Sequence, residues 1–344
     1  MKVAFVGVKR KYQELAPEYR YHFNQFHLEL PFYYARDGGN DVTITTVDYT
    51  NEPIREVLGG GGSLRCQQET QFINQGADWD VVVHWRRWFP EMYKPGAVNV
   101  INCQDHSFGP EWKGEVTDAI LSKKCRGILC FPTWHKRNLV YELSLSPDYM
   151  FDGVTLGVDT TVYAPTFDKD PYQMLWASDP GRGLTGAVML AIQLFQVDKN
   201  FRLHVCYPDY VKNVQKVNHP AIVWHGNMDN SQNLWDIFRY TGVLPFTSTF
   251  MEPSSRAHRQ AMAAGSMVLY PPDRGSPSEL IQNDLTGVVA DPSNWAAIIL
   301  RNVRSGEWKK IGERAREYAI SENWAVQATR FNELMERLRR ETCP

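Results

Sequence analysis

Cysteine is scarce in this sequence, and its positions argue against both a disulfide framework and a cysteine-bound metal. The 344 residues include six cysteines and no Cys-x-x-Cys pair, at positions Cys66, Cys103, Cys125, Cys130, Cys206 and Cys343. Metal sites built from cysteine need ligands at spacings that these positions lack. We therefore expect reduced and mostly buried thiols, as in a cytosolic protein.

Long apolar runs and an excess of one charge are also missing. No apolar run reaches the ~20 residues that a membrane-spanning helix needs. The sequence predicts a strand from residue 2, and we therefore expect no signal peptide. The 37 basic and 39 acidic side chains give a formal net charge of -2. The chain thus offers no global field for nucleic acid or for a membrane, and we expect a cytoplasmic protein.

Alternating strands and helices are the main pattern that the sequence does contain. Apolar, β-branched segments such as 3–6 and 41–47 alternate with helical segments in the first half of the chain. This alternation is typical of a parallel sheet wrapped by helices. A polar run at residues 166–171 fits an interdomain linker, and a second series of strands and helices starts at residue 173. The length is sufficient for two domains with separate cores.

The most informative segment lies between residues 250 and 287. Glu252 opens a turn, and the Pro and two Ser that follow it supply a helix start. On a helix of ~3.6 residues per turn, Glu252 and Gln260 fall on nearly one face, so both could reach one elongated ligand. A strand at 266–270 follows, and the turn at 273–277 leads to another helix N-terminus whose amides suit an anion. Spacing alone favours ordinary loop-to-helix chemistry in an α/β domain over a ligand site.

A second strand, turn and helix lie earlier in the chain. The strand at 173–178 leads into the turn at 179–183, and a helix runs from Leu184 to Phe195. A strand, a glycine-containing turn and a helix N-terminus make a place for phosphate, with Arg182 as a fixed cation on its rim. The alternative is a tight turn with a surface arginine.

Taken in this order, the two segments resemble the signature of the retaining, group 1 (family four) glycosyltransferases. That signature is a Glu, seven residues, a second Glu, Ala-Met-Ala-x-Gly, a strand, a Gly/Pro turn before an acidic helix start, and a Thr-Gly turn, which is Thr286-Gly287 here. The resemblance implies the GT-B architecture, an α/β fold of two facing Rossmann-like domains with a cleft between them. It implies an acceptor-binding domain at 1–165, a donor-nucleotide-binding domain at 172–320, and a C-terminal helix at 321–344 that crosses back to the first domain.

The resemblance also implies roles for individual residues of the donor site. Glu252 would lie near the hydroxyls of the donor sugar, Gln260 would bind the nucleotide ribose, and Arg182 would face the diphosphate. Because Gln260 stands where the family has a second Glu, its bond to the ribose loses charge assistance. Either Ala177 or Ser178 stands where the family has an earlier Arg. The other donor-binding residues implied are Ser178, Gly181, Gly183, Gly275, Ser276 and Glu279.

On the acceptor side, candidates stand at the ends of strands in the first domain. Gly7 ends the first strand, where a ligand could approach the backbone closely, and His84 ends the strand at 80–84. Asp105 and His106 follow the strand at 98–102, and the family has a His close to the donor sugar at this kind of place. By that match we expect His106 to be catalytic. An ordinary surface or core histidine is the alternative for both His84 and His106.

The chemistry of glycosyl transfer sets further expectations. Breaking a sugar–phosphate bond develops negative charge on the leaving diphosphate, so fixed cations and amide dipoles should surround it. No Asp-x-Asp pair stands at a strand end before a donor loop. We therefore expect a metal-independent, retaining hexosyltransferase without a cofactor, with a UDP- or GDP-linked donor and a glycan, lipid-linked or small-molecule acceptor. The alternatives are a non-hydrolysing sugar-nucleotide epimerase of similar fold and a catalytically weakened nucleotide-binding module.

The C-terminal segment is amphipathic. Apolar residues recur at helical spacing between residues 323 and 340, which predicts a helix with one buried face. Its charged face carries Arg337, Arg339 and Arg340. We interpret this face as solvated, and a weak peripheral contact with anionic lipid is the alternative.

Overall fold

The computed structural model describes residues 1–7, 26–46, 54–57, 61–76, 78–165, 168–208, 211, 213–227 and 232–342. The chain divides into two compact units. Unit 1 comprises residues 1–156 and the helix that begins at residue 324, and unit 2 comprises residues 157–323. The division therefore falls before the polar run at 166–171, of which residues 166 and 167 lie outside the described residues.

Unit 1 is a parallel sheet with helices on its faces. Its described strands are β1 (Lys2–Val6), β2 (Asp41–Thr46), β3 (Ile54–Val57), β4 (Ser63–Gln68), β5 (Val81–Trp85), β6 (Val98–Asn102), β7 (Ile128–Leu129) and β8 (Met150–Phe151). Its described helices are α1 (Phe26–Arg36), α2 (Glu69–Asn74), α3 (Pro110–Leu121), α4 (Trp134–Leu143) and, near the chain end, α11 (Trp324–Thr342).

The strands of unit 1 lie in the order β3-β4-β2-β1-β5-β6-β7-β8. All described neighbours run parallel except β3 and β4, which are antiparallel. The central strand β1 is covered on both faces, since residues 3–6 have no exposed surface, which explains its uninterrupted apolar sequence. From β4 to β7 the order is the 3-2-1-4-5-6 arrangement of a Rossmann fold.

Helix α11 belongs to the core of unit 1 although it comes last in the chain. The ring of Trp324 stacks on Tyr33 at 5.0 Å, and the ring of Phe331 stacks on Tyr34 at 4.2 Å. Such aromatic pairs contribute about 0.5–1.5 kcal/mol each beyond the area that they bury. On its outer side Arg339 pairs with an Asp80 oxygen at 2.7 Å. Part of the predicted cationic face is thus neutralised within the protein.

Unit 2 has the same 3-2-1-4-5-6 strand order as the segment from β4 to β7 of unit 1. Its described strands are β9 (Asp170–Ala177), β10 (Arg202–Tyr207), β11 (Ile222–Asn227), β12 (Thr241–Pro245), β13 (Met267–Tyr270) and β14 (Val288–Val289). Its described helices are α5 (Leu184–Val197), α6 (Gln232–Tyr240), α7 (Arg256–Ala263), α8 (Ser276–Leu280), α9 (Trp295–Ser305) and α10 (Glu307–Ser321). The sheet is parallel throughout, in the order β11-β10-β9-β12-β13-β14.

The strand order of unit 2 places the region where ligands bind in such sheets. The direction of winding reverses between β9 and β12, and open α/β sheets bind ligands outside the carboxyl ends of the strands at this switch point. The prediction of an α/β chain with two Rossmann-like sheets is confirmed. Within the described ranges, no helix combines the length and the apolar character needed to cross a membrane.

Candidate functional site

Three loops of unit 2 meet at the carboxyl ends of β9, β12 and β13. The loop after β9 carries Arg182, the loop after β12 carries Glu252, and the loop after β13 carries Gly275. These residues are distant in sequence but in direct contact in the structure. The sequence prediction placed all of them at the donor, with Arg182 and Glu252 as catalytic residues and Gly275 as a donor-binding residue. The fold brings them to the switch point of the sheet.

Arg182 and Glu252 form a charged hydrogen-bonded pair. Nη1 of Arg182 lies 2.8 Å from each carboxylate oxygen of Glu252. The Glu252 side chain is 4% exposed, whereas that of Arg182 is 48% exposed, so the guanidinium borders solvent and the carboxylate lies beneath it. Burial raises the pKa of Glu252, and the charge and hydrogen bond of Arg182 and a hydrogen bond from Ser248 oppose that rise. The loop after β9 therefore exposes the cation of Arg182, which is hydrogen-bonded to the buried carboxylate of Glu252.

The backbone of Glu252 is tied to the loop after β13. The amide of Glu252 donates to the carbonyl of Arg274 at 2.8 Å, and the amide of Ser276 donates to the carbonyl of Glu252 at 3.0 Å. Gly275 has φ +105, and a Cβ there would lie 2.1 Å from the Glu252 carbonyl oxygen. Glycine is therefore required for the two loops to approach this closely.

This pairing corrects part of the prediction for the phosphate site. The amide of Ser276 was expected to face phosphate, but it is used by Glu252 and the residue has no exposed surface. In the loop after β9, the amide of Gly181 likewise donates to Oδ1 of Asp179 at 2.9 Å. Neither amide is free for an anion in this arrangement. The cationic side chains of these loops are Arg182 and the exposed Arg274. Ser178 is half-buried and Glu279 is exposed.

Gly183 joins the β9 loop to the β12 loop. Its φ is +104, and a Cβ there would lie 1.9 Å from the carbonyl oxygen of Thr247. The hydroxyl of Thr247 donates to the Gly183 carbonyl at 2.5 Å. The contact fixes the start of α5 against the end of β12, one residue after Arg182. Glycine is therefore favoured at position 183 both by the positive φ of the turn and by the close approach of Thr247.

Gln260 lies on α7 and is buried. Its Nε2 donates to the hydroxyl of Tyr163 at 2.7 Å. The expectation that Glu252 and Gln260 share a helical face was wrong, because α7 begins at Arg256 and Glu252 lies before it in a bridge with Gly275. The tyrosine partner was missed from the sequence, where no spacing rule connects positions 97 residues apart.

Two of the predicted acceptor-side residues are packed inside unit 1. His84 has no exposed surface, its ring stacks on Trp88 at 4.2 Å, and its Nδ1 accepts from the amide of Phe89 at 3.3 Å. Burial lowers the pKa of His84 to about 3, so the ring is neutral. Gly7 has φ +76, and a Cβ there would fall 2.1 Å from the Phe89 ring. The close approach at Gly7 is therefore made by Phe89, and the burial of His84 is at odds with contact to an acceptor.

The other two acceptor-side residues lie at the surface. Asp105 and His106 follow β6, the next strand after β5, and both are exposed. Asp105 pairs with Nε of Arg86 at 3.4 Å, and the backbone carbonyl of His106 accepts from Nδ2 of Asn138 at 2.7 Å. The His106 imidazole is thus on the carboxyl edge of the unit 1 sheet, where its catalytic role stays a prediction.

The described part of the chain holds no group of three or more His, Cys, Asp or Glu side chains placed to bind a metal ion. Five of the cysteines are buried and form no disulfide, namely Cys66, Cys103, Cys125, Cys130 and Cys206. Burial raises the pKa of the Cys125 and Cys206 thiols to about 12. These thiols pack as small apolar groups.

Solved structures of glycosyltransferases are similar to this chain along nearly its whole length. A glycosyltransferase from Rickettsia africae ESF-5 is 14% identical, with a TM-score of 0.67 over 98% of this chain and 97% of that chain. HepE (Alr3699) from Anabaena, solved in complex with UDP, is 12% identical, with a TM-score of 0.69 over 98% of this chain and 100% of that chain. Sucrose-phosphate synthase (tll1590) from Thermosynechococcus elongatus is 11% identical, with a TM-score of 0.67 over 98% of each chain.

The likeness to these structures establishes the fold. The chain has the GT-B fold of the glycosyltransferases that it resembles, in agreement with the expectation from the sequence. No protein-family model matches the chain, and no curated protein matches it.

Proposed function

We propose that the protein is a nucleotide-sugar-dependent glycosyltransferase whose donor site lies at the switch point of unit 2. One observation carries the proposal: Arg182, from the loop after β9, bonds to Glu252, from the loop after β12, at 2.8 Å. A cation for the diphosphate and a carboxylate for the sugar hydroxyls are then adjacent, as transfer from a diphosphate sugar requires. The GT-B fold supports the same assignment.

The reaction follows from the charges that develop. The bond between the anomeric carbon and the diphosphate oxygen breaks, and its electron pair stays on the diphosphate, where Arg182 stabilises it. The acceptor oxygen forms the new bond on the face that the leaving group vacates, so the anomeric configuration is retained. Its proton passes to a diphosphate oxygen, and no separate base is needed. Glu252 accepts hydrogen bonds from the sugar hydroxyls and so orients the ring.

For the donor we propose a UDP-linked hexose. HepE has been solved with UDP, with UDP and glucose, and with UDP-glucose. Gln260, fixed by its bond to Tyr163, is our proposal for the ribose contact, because its carbonyl oxygen remains available as an acceptor. The acceptor is proposed to be a glycan bound by unit 1, since a point mutant of TarM from S. aureus has been solved with fondaparinux, α-GlcNAc-glycerol and UDP. We propose a metal-independent reaction in the cytoplasm.

The test is to incubate the protein with UDP- and GDP-hexoses and to measure both free nucleotide and the sugar. Slow release of nucleotide, unchanged by EDTA, supports transfer without a metal. Isomerised sugar without release would instead identify an epimerase, and tight binding without turnover a nucleotide-binding module.

Matched variants locate the activity. We expect Arg182→Ala to lower turnover about 10²- to 10³-fold, as for the loss of one stabilising donor in a transition state. Arg301→Ala, on the exposed side of α9, removes a charge elsewhere in unit 2 and should retain turnover. Equal turnover in both variants would contradict the placement of the site.

A further inference from the structure

We propose that Glu252 sets the preference of this site for an intact nucleotide sugar over the free nucleoside diphosphate. The inference rests on the proposed function and concerns the discrimination between substrate and product. It is carried by the geometry of the ion pair, in which one nitrogen of Arg182 is shared by both carboxylate oxygens of Glu252.

Separating Arg182 from Glu252 destabilises the buried carboxylate of Glu252. The guanidinium is half exposed, and its other two nitrogens have no hydrogen-bond partner among the described residues, so an incoming phosphate can reach it. The Glu252 carboxylate is almost fully buried, and the other side chain that donates to it among the described residues is Ser248, whose hydroxyl lies 3.4 Å from Oε1. A diphosphate that draws the whole guanidinium onto its oxygens, Nη1 included, competes with Glu252 for Nη1 and leaves the buried carboxylate with weaker hydrogen bonding.

The sugar compensates for that loss, and the free nucleotide does not. Sugar hydroxyls are hydrogen-bond donors, and an ionised carboxylate is an acceptor with two oxygens. When the donor carries its hexose, the hydroxyls replace Arg182 as partners of Glu252. When the hexose has been transferred, the remaining diphosphate holds Arg182 away from Glu252, and no sugar hydroxyl replaces Arg182 as a hydrogen-bond partner of the carboxylate. The same carboxylate thus favours substrate binding and product release.

The experiment measures the dissociation constants of UDP and UDP-glucose for three proteins by isothermal titration calorimetry. These are the wild type, Glu252→Gln and the control Glu313→Gln, which removes a carboxylate from the exposed side of α10. In Glu252→Gln we expect UDP to bind about tenfold more tightly than in the wild type, the equivalent of about 1.4 kcal/mol. UDP-glucose should gain less or lose affinity, so the preference for the sugar nucleotide falls. Glu313→Gln should keep the wild-type ratio.

Each outcome decides the matter. Unchanged or weaker UDP binding by a folded Glu252→Gln would overturn the inference while leaving the proposed function intact, provided that the wild type binds both ligands. If the wild type binds neither ligand, the proposed function fails and the inference fails with it. Should Glu252→Gln not fold, as judged by its Tm, Glu252→Asp provides the second test. It keeps the charge, shortens the reach to Arg182, and should also tighten UDP binding; no tightening would overturn the inference.

Discussion

Replacing Gly183 with alanine should separate the two loops that hold the candidate site. The backbone at Gly183 has φ +104, and an added Cβ would lie 1.9 Å from the Thr247 carbonyl oxygen, a distance that real Cβ contacts do not reach. Strain of a non-glycine residue in the left-handed region costs about 1–2 kcal/mol. Parting the loops also removes the Thr247 hydrogen bond, worth about 1 kcal/mol.

The sum predicts a loss of about 2–3 kcal/mol in the stability of unit 2, which for a domain of this size lowers Tm by about 4–12 °C. Gly306→Ala is the matched control. Its φ is +75, but a Cβ there meets no atom within 4 Å. It therefore isolates the backbone strain and should cost only about 1–2 kcal/mol.

The assay is thermal unfolding followed by circular dichroism, together with a UDP titration of each folded variant. We expect Gly183→Ala to bind UDP about tenfold or more weakly, because Arg182 precedes the displaced residue. Gly306→Ala should bind UDP as the wild type does. Equal losses of Tm in the two variants, or unchanged UDP affinity in Gly183→Ala, would refute the close contact between these loops.

Three further outcomes are expected. Tyr163→Phe leaves the Gln260 amide without its hydroxyl partner, so urea unfolding should show a loss of about 1–3 kcal/mol; unchanged stability would contradict the bond. Burial lowers the pKa of His258 to about 3, below its unfolded value, so the free energy of unfolding should fall as pH drops from about 6.5 toward 3. Between about pH 7.5 and pH 5, His258→Phe should therefore lose about 2 kcal/mol less stability than the wild type. Parallel pH profiles of the two proteins would contradict the burial of a neutral His258. Phe331→Ala should destabilise unit 1 by about 3–5 kcal/mol in the same urea assay, and a loss below about 1 kcal/mol would contradict the buried stack on Tyr34.

Much of the fold could be predicted from sequence because its central strands are buried and continuously apolar. Residues 173–178 were expected to form a strand, and β9 spans Asp170–Ala177. The same holds for α5, which was expected at residues 184–195 and ends at Val197. Local apolar pattern sets these elements, and a parallel sheet covered on both faces makes that pattern unusually continuous.

The details of the loops could not be predicted in this way. Whether a backbone amide faces a ligand depends on which carbonyl lies beside it, and for Ser276 that carbonyl comes from Glu252 on another loop. The position of His84 depends on the packing of Trp88 and Phe89, which the sequence shows only as a cluster of aromatic residues. Long-range contacts of this kind follow from the strand order, and strand order is not a local property.

The measurement that tests the account most directly is a crystal structure of the protein with UDP-glucose bound. We predict that the diphosphate lies within hydrogen-bonding distance of the Arg182 guanidinium and that hydroxyls of the glucose ring donate to the Glu252 carboxylate. A nucleotide sugar bound away from the carboxyl ends of β9 and β12, with the Arg182–Glu252 pair intact, would contradict it.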